Sequence, residues 1–396
     1  MINKQFDLIG KSDIESLISN GVPETRTLEY KEKLSGNSDE DKKEFLADIS
    51  SFANASGGDI VYGIQEQRSS DNKTTGIPEA ANGVGAINSD TEIRRLENMI
   101  RDCIAPRIVG LQTKAIDGFA DGSVIVIRVP QSWNSPHMVT FKNHSRFYSR
   151  NSAGKYPLDV TEIRSAFIVS ESLTERIRQF RTERIAKIIA DETPVQLEHN
   201  SKIVLHLLPI GCFTSGTSID VNLTANNPSN LQPISSYGYN QRYNFDGIVK
   251  YFSIHPPISS SYTQLFRNGV IEAVDARILT PINEKKCIPS VDYEKKLINS
   301  LQQYLQLQKN LEVNPPIFIM LSLLGVKGYT MAVNTLFPYE ENSIDRDILI
   351  IPEIVVEDYA AESSEILRPA FDAVWQACGW DSSINYNNGN WVGNRR

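Results

Sequence analysis

The stretch from Phe45 to Ile64 constrains the fold of this chain more than any other. Phe45, Ile49, Phe52 and Ala53 recur at helical spacing, Gly57-Gly58 ends the helix, and Asp59-Ile-Val-Tyr-Gly-Ile64 follows as a buried strand. Glycine accepts positive φ without a Cβ clash, so Asn54 with Gly57-Gly58 suits a helix end that turns sharply into a strand. The flanking segments repeat the mixture. Ser12-Asp-Ile-Glu15 and Ser89-Asp-Thr-Glu92 read as capping boxes that open helices, and Pro106 closes the second of these. Arg26-Thr-Leu-Glu-Tyr-Lys31 alternates as a short strand, with Leu28 and Tyr30 on one face and Glu29 and Lys31 on the other. A charged loop is expected around Asp39 to Lys43, and further strands around 108–114 and 124–129.

The next region is cationic. Arg146-Phe-Tyr-Ser-Arg150 alternates as a strand that shares Arg146, Tyr148 and Arg150 on one face. Ser-Ala-Gly-Lys155 reads as a loop and Asp159 to Ile168 as a helix. Ser170 to Ile189 carries Leu173, Ile177, Phe180, Ile185 and Ile188 near one stripe and reads as a connector helix. Beyond Pro194, strand-like runs at 202–208, 248–254, 270–279, 316–323 and 347–356 are interrupted by helices at about 293–307 and 365–378. The expected class is α+β, divided into a domain at 1–169, the connector at 170–190 and a second α+β domain at 191–396, with no internal repeat.

Composition narrows the function classes. With 396 residues, 40% apolar and 22% charged, the chain is ordinary globular protein and not a disordered, collagenous or coiled-coil one. No run approaches the apolar length of a membrane span, and Met-Ile-Asn-Lys-Gln-Phe-Asp lacks the layout of a signal peptide, so a cytoplasmic protein is expected. Cys103, Cys212, Cys287 and Cys378 stand far apart and read as reduced thiols. The histidines (His137, His144, His199, His206, His255) show no metal-ligand spacing. Gly10-Lys11-Ser12 lacks the earlier glycine of a phosphate loop, where Gln5 stands, so ATP binding has no motif to rest on. The net charge of −8 is uneven: −3 over 1–169, +2 over 170–190 and −7 over 191–396. Within it, positions 140–187 hold ten basic residues (Lys142, Arg146, Arg150, Lys155, Arg164, Arg176, Arg178, Arg181, Arg184 and Lys187) against five acids, an excess suited to a polyanion.

Candidate chemistry centres on Glu24 to Lys31 with Glu66. On a strand, Glu29 and Lys31 point to the same side, so a carboxylate that can hold a hard divalent cation lies beside an ammonium that can contact phosphate. Metal-dependent nucleases need that pairing, because the ion stabilises charge on phosphoryl oxygens and helps generate hydroxide. Glu24 lies an odd number of residues from Glu29 and reaches the same side only if the chain bends after Pro23.

Glu24-x-x-x-x-Glu29-Tyr30-Lys31, Ser51-Phe-Ala-Asn-Ala-Ser-Gly-Gly58, Tyr62-Gly-Ile-Gln-Glu66 and Arg146-Phe-Tyr-Ser-Arg150 together resemble the Schlafen AlbA_2 domain over roughly residues 10 to 170. The resemblance implies a three-carboxylate site of Glu24, Glu29 and Glu66, the last standing where the family has aspartate, that holds Mg2+ or Mn2+ and cleaves structured RNA such as transfer RNA. It would add Lys31 on the scissile phosphate. Arg146, Tyr148, Arg150 and Lys155 would bind the strand by phosphate contact and base stacking. A homodimer is expected on the same ground, because Schlafen nuclease domains resemble two such lobes around one cradle; the connector helix is a candidate contact. Two other readings stay open: a non-catalytic DNA- or RNA-binding regulator, and an ATP-binding protein as some bacterial relatives are described. The second half resembles a partner domain that accompanies AlbA_2 in bacterial proteins, with no chemistry implied.

Overall fold

Space, as much as conformation, demands glycine at the helix-to-strand junction. A Cβ on Gly57, whose φ is +67°, would stand 2.5 Å from the Gln131 backbone nitrogen, and one on Gly58 would stand 2.4 Å from the Phe52 ring. The computed structural model describes residues 1–393 apart from 3, 5, 199–200, 214–217, 223–227, 282 and 334–341, so His199 lies outside the described residues. The chain is a mixed helix-and-sheet protein that divides into Met1–Arg176 and Ile177–Arg396.

In the first unit the order is α1 (Lys11–Ser19), β1 (Leu28–Lys31), α2 (Asp39–Ala53), β2 (Gly58–Tyr62), β3 (Ile64–Arg68), β4 (Thr74–Ala81), α3 (Ser89–Cys103), β5 (Ile104–Ala105), β6 (Gln112–Phe119), β7 (Gly122–Val129), β8 (Met138–Phe141), β9 (His144–Asn151), β10 (Gly154–Pro157) and the first part of α4 (Val160–Ile189), whose residues from Ile177 on belong to the second unit. Its main sheet runs β1-β2-β7-β6, with β1 parallel to β2 and the other pairs antiparallel. The two central strands, β2 and β7, read as nearly continuous apolar runs because both their faces are covered. Ile60, Tyr62, Ile125 and Ile127 pack with Phe45, Ile49, Phe52 and Leu96 of α2 and α3. Val61, Val124 and Val126 pack with Ile14, Leu28 and Tyr30 on the other face. A second antiparallel sheet runs β10-β9-β8-β5, and β3 with β4 forms a hairpin. The one charge within β2, Asp59, is fully buried and is held by Arg128 at 2.7 Å.

Several element boundaries differ from expectation. Helix α1 is capped at Gly10, whose N–H donates to Asp13 at 2.8 Å, and α3 is capped by Asn88, whose side chain accepts from Thr91 at 3.0 Å. Both caps lie upstream of the serines that sequence favoured, because Asp and Asn side chains satisfy free helix N–H groups as well as serine does. Ser38 caps α2, so the charges from Asp39 onward form its first turn and not a loop. Gly154-Lys155 belongs to β10. The expected helix at 159–168 and the connector at 170–190 are one continuous helix, α4, since no Gly or Pro interrupts it.

The second unit has an eight-stranded, antiparallel sheet. Lys202–Pro209 lies between Ile271–Asp275 and Ile317–Leu324, and the sheet extends through Ser261–Phe266 and Gly247–Phe252 to an edge at Asn240–Asn244. Helices Ser290–Asn310 and Ser363–Ala377 cover one face through Leu297, Leu301, Phe371 and Trp375. Ile185 and Ile188 pack on the other face with Val204, Val249 and Val274. The apolar stripe expected as a dimer contact is thus partly spent inside this unit's own core. No helix among the described residues is long and apolar enough to cross a membrane, and Cys103, Cys287 and Cys378 are free thiols.

Candidate carboxylate site and nucleic-acid interface

Strand β1 fixes the first pair. Leu28 and Tyr30 point into the core, where the Tyr30 hydroxyl donates to the Val22 carbonyl at 2.9 Å, so Glu29 and Lys31 point out. Before it, Thr25 and Leu28 exchange backbone hydrogen bonds of 2.9 and 3.2 Å. That turn is the bend Glu24 needs. The Glu24 side chain folds back over β1 and accepts the Tyr30 N–H at 2.7 Å through Oε1.

Gly76, at the start of β4, joins the second acid to the first. Its N–H donates to Glu66 Oε2 at 2.9 Å, while its carbonyl accepts the Glu24 N–H at 2.7 Å. Gly76 has φ +73°, and a Cβ there would come within 3.4 Å of Glu24 Oε2. Register irregularities on both sides of Glu66 aim its side chain toward this point. Burial raises the Glu24 carboxyl above its ordinary value; the Glu66 and Glu29 charges add to this, against the Tyr30 hydrogen bond.

Glu29 is held differently. Its Oε1 lies 2.7 Å from Lys31 Nζ and its Oε2 2.8 Å from Arg150 Nη1, so both oxygens face cations. Burial opposes its ionisation, yet Lys31 and Arg150 outweigh burial and hold its carboxyl below the usual range. Arg150 is fixed from behind, its guanidinium 3.5 Å from the centre of the Phe52 ring. Lys31 Nζ also stands 3.6 Å from Asp48, whose other oxygen takes Lys155 at 2.6 Å. Asp48 moves the opposite way from Glu29: burial and the Glu29 charge raise its carboxyl against the pull of Lys31 and Lys155. The result is a ladder of alternating charge, Arg150–Glu29–Lys31–Asp48–Lys155, in which Lys155 and Arg150 are cross-strand neighbours on β10 and β9.

The structure therefore brings Glu24, Glu29, Lys31 and Glu66 into one region and adds Asp48 and Gly76, which sequence reasoning missed. An acid inside the apolar helical stretch Phe45 to Phe52 was the available signal for Asp48. Arg150 and Lys155 are engaged with Glu29 and Asp48, whereas Arg146 is exposed. Tyr148 is half-buried and its hydroxyl pairs with His144 Nε2 at 2.8 Å. Asn54 donates to the Tyr148 and His137 carbonyls at 2.8 and 2.9 Å, which ties the end of α2 to β9. The basic excess over 140–187 is smaller in space than in sequence. Arg181 pairs with Glu353, Arg184 with Glu272 and Lys142 with Asp39, and the first two are largely buried.

As a seat for a divalent ion, the carboxylates fit in part. Among the described residues Glu24 Oε2 and Glu66 Oε1 have no hydrogen-bond donor, but Glu29 has neither oxygen to spare. Among the described residues no group of three or more His, Cys, Asp or Glu is placed to hold a metal ion.

Residues 24–159 match the family model described as Schlafen, AlbA_2. No curated protein matches the chain. Solved structures that match include the DIP2311 protein of Corynebacterium diphtheriae, at 17% identity and a TM-score of 0.26, over 37% of this chain and 26% of that one. Another is the N-terminal domain of a RecG-related protein from Nitrosomonas europaea, named after an ATP-dependent DNA helicase. It matches at 20% identity and a TM-score of 0.23, over 29% of this chain and 71% of that one.

Proposed function

From a chain that carries a Schlafen AlbA_2 domain over residues 24–159, we propose a cytoplasmic nucleic-acid-binding protein whose first unit takes a phosphodiester strand, with structured RNA such as transfer RNA as the target. The observation that carries this reading is the charge ladder on β1, α2, β9 and β10. Three cations converge there on Glu29 and Asp48, and Glu24 with Glu66 lies beside them. Arg146 offers an exposed phosphate contact, and Tyr148 with His144 a face on which a base can stack. Single-strand binding should weaken with salt at a slope of about −0.7 per neutralised phosphate. Fluorescence anisotropy with single-stranded and transfer RNA at several salt concentrations tests it, and binding that ignores salt would count against it.

A second reading, divalent-dependent RNA cleavage, is favoured by Gly76, which draws Glu24 and Glu66 together. Glu24 and Glu66 would hold Mg2+ or Mn2+, with Glu29 joining only after giving up a cation. When bound, the ion would stabilise charge on the phosphoryl oxygens and activate water. Lys31 would hold the scissile phosphate, and Arg150 and Lys155 would orient the strand. Loss of cleavage in Glu24→Ala and Glu66→Ala with RNA binding retained supports this; a folded, RNA-binding preparation inert with both ions leaves a non-catalytic binder. The reading includes a homodimer that supplies a second wall to the cradle, and light scattering that reports one chain mass with and without RNA removes that part.

A further inference from the structure

Glu29 sits where an incoming anion would sit. Its two oxygens are gripped at 2.7 and 2.8 Å by Lys31 and Arg150, the spacing of charge-assisted hydrogen bonds that a phosphate oxygen also makes. We infer that Lys31 and Arg150 form a phosphate seat which Glu29 fills as an internal counter-anion, so that a phosphodiester binds by displacing the Glu29 carboxylate. This inference rests on the nucleic-acid reading for its ligand, but makes Glu29 an occupant of the seat and not a metal ligand.

Three features make exchange, and not simple opening, the route. Arg150 cannot follow Glu29 into solvent. Its side chain is 4% exposed and its guanidinium carbon stands 3.5 Å over the centre of the Phe52 ring, so a departing carboxylate would leave a buried cation without a partner unless another anion replaces it. The Arg150 Nε is itself buried and unpartnered, which leaves a donor on the same guanidinium for a second oxygen. Lys31 is the open side of the seat. Its side chain is 30% exposed, it keeps Asp48 at 3.6 Å as a fallback partner, and its charge is held firm by Asp48 and Glu29 against burial.

The test uses the full chain with chelator and no divalent ion, and two probes, a single-stranded oligonucleotide and inorganic pyrophosphate. Glu29→Gln keeps one acceptor oxygen for the cations while removing the competing charge, so it should bind both probes about tenfold more tightly than wild type. Lys31→Gln leaves the Glu29–Arg150 pair intact and should bind both more weakly. Oligonucleotide affinity unchanged or reduced in folded Glu29→Gln overturns the seat while the nucleic-acid reading stands. Gain of pyrophosphate binding with no oligonucleotide binding in any form keeps the seat and overturns that reading. If thermal unfolding shows that Glu29→Gln does not fold, Lys31→Gln decides: weaker pyrophosphate binding supports the seat, and unaltered binding refutes it.

Discussion

Each unit holds a glutamate against an arginine, and the two sites are built to opposite ends. In the second unit Glu272 is fully buried and takes Arg184 through two contacts of 2.7 Å, His206 at 2.9 Å and the Tyr262 hydroxyl at 2.8 Å. Every oxygen has partners, the network is sealed, and Phe180 packs edge-on against His206. In the first unit Glu29 is partly exposed, its partner Lys31 more so, and the ladder continues to Lys155 at the surface. A closed network stabilises one arrangement of the chain, whereas an open ladder of alternating charge can trade one anion for another at little cost in exposed surface.

The sharpest way to break the comparison is to remove a charge from the sealed site. Arg184→Gln should destabilise the second unit by roughly 3–5 kcal/mol, since Glu272 would remain buried without its cation. Thermal unfolding checks this, and RNA affinity of the surviving folded fraction should not change. The same site sets an acid limit. Despite burial, Arg184 and His206 depress the Glu272 carboxyl to about 2. Because the folded value lies below the unfolded one, its contribution is fully present above the ordinary carboxylate value and is lost as pH falls from there through about 2.

A smaller effect of opposite sign comes from Asp275, raised by burial to about 6 against the hydrogen bonds it accepts from the Ile278 and Arg277 N–H groups. A raised acid favours the fold below its unfolded value, and that advantage disappears as pH rises through about 6. Asp275→Asn should therefore stabilise the chain at neutral pH by about 3 kcal/mol and leave it unchanged in strong acid, as pH-dependent urea titration would show. In the first unit, Gly76→Ala should cost about 1–2 kcal/mol for its positive φ and crowd Glu24. If Glu24 and Glu66 hold an ion, calorimetry should also find weaker Mn2+ binding in this variant. The smallest expected change is in Arg146→Ala, which removes an exposed contact and should flatten the salt dependence of binding by about 0.7 without altering stability.

These contrasts also mark what sequence could convey. Local rules placed β1, its alternating faces and the glycine junction after α2, because strand period and glycine stereochemistry are written in adjacent residues. The return of Glu24 was legible too, as a geometric condition that the Thr25–Leu28 turn meets. The β3–β4 hairpin was not, since its polar residues and register shifts give no regular period. Nor was the ladder. Glu29 and Arg150 are 121 residues apart and lie in different sheets, so only tertiary packing brings them together. Cation counts along 140–187 overstated the free surface for the same reason: Arg181 and Arg184 belong to the second unit and pair there with carboxylates that the sequence places far downstream.

The central claim is that the first unit binds a phosphodiester strand through cations its own carboxylates now occupy. The most direct measurement is anisotropy of a single-stranded RNA titrated with the intact chain, in chelator and across a salt series, for wild type and Lys31→Gln. The account predicts salt-weakened binding in the wild type and, in the variant, lower affinity with a slope shallower by about 0.7. Absence of binding, or a variant whose affinity and slope equal those of the wild type, would contradict it.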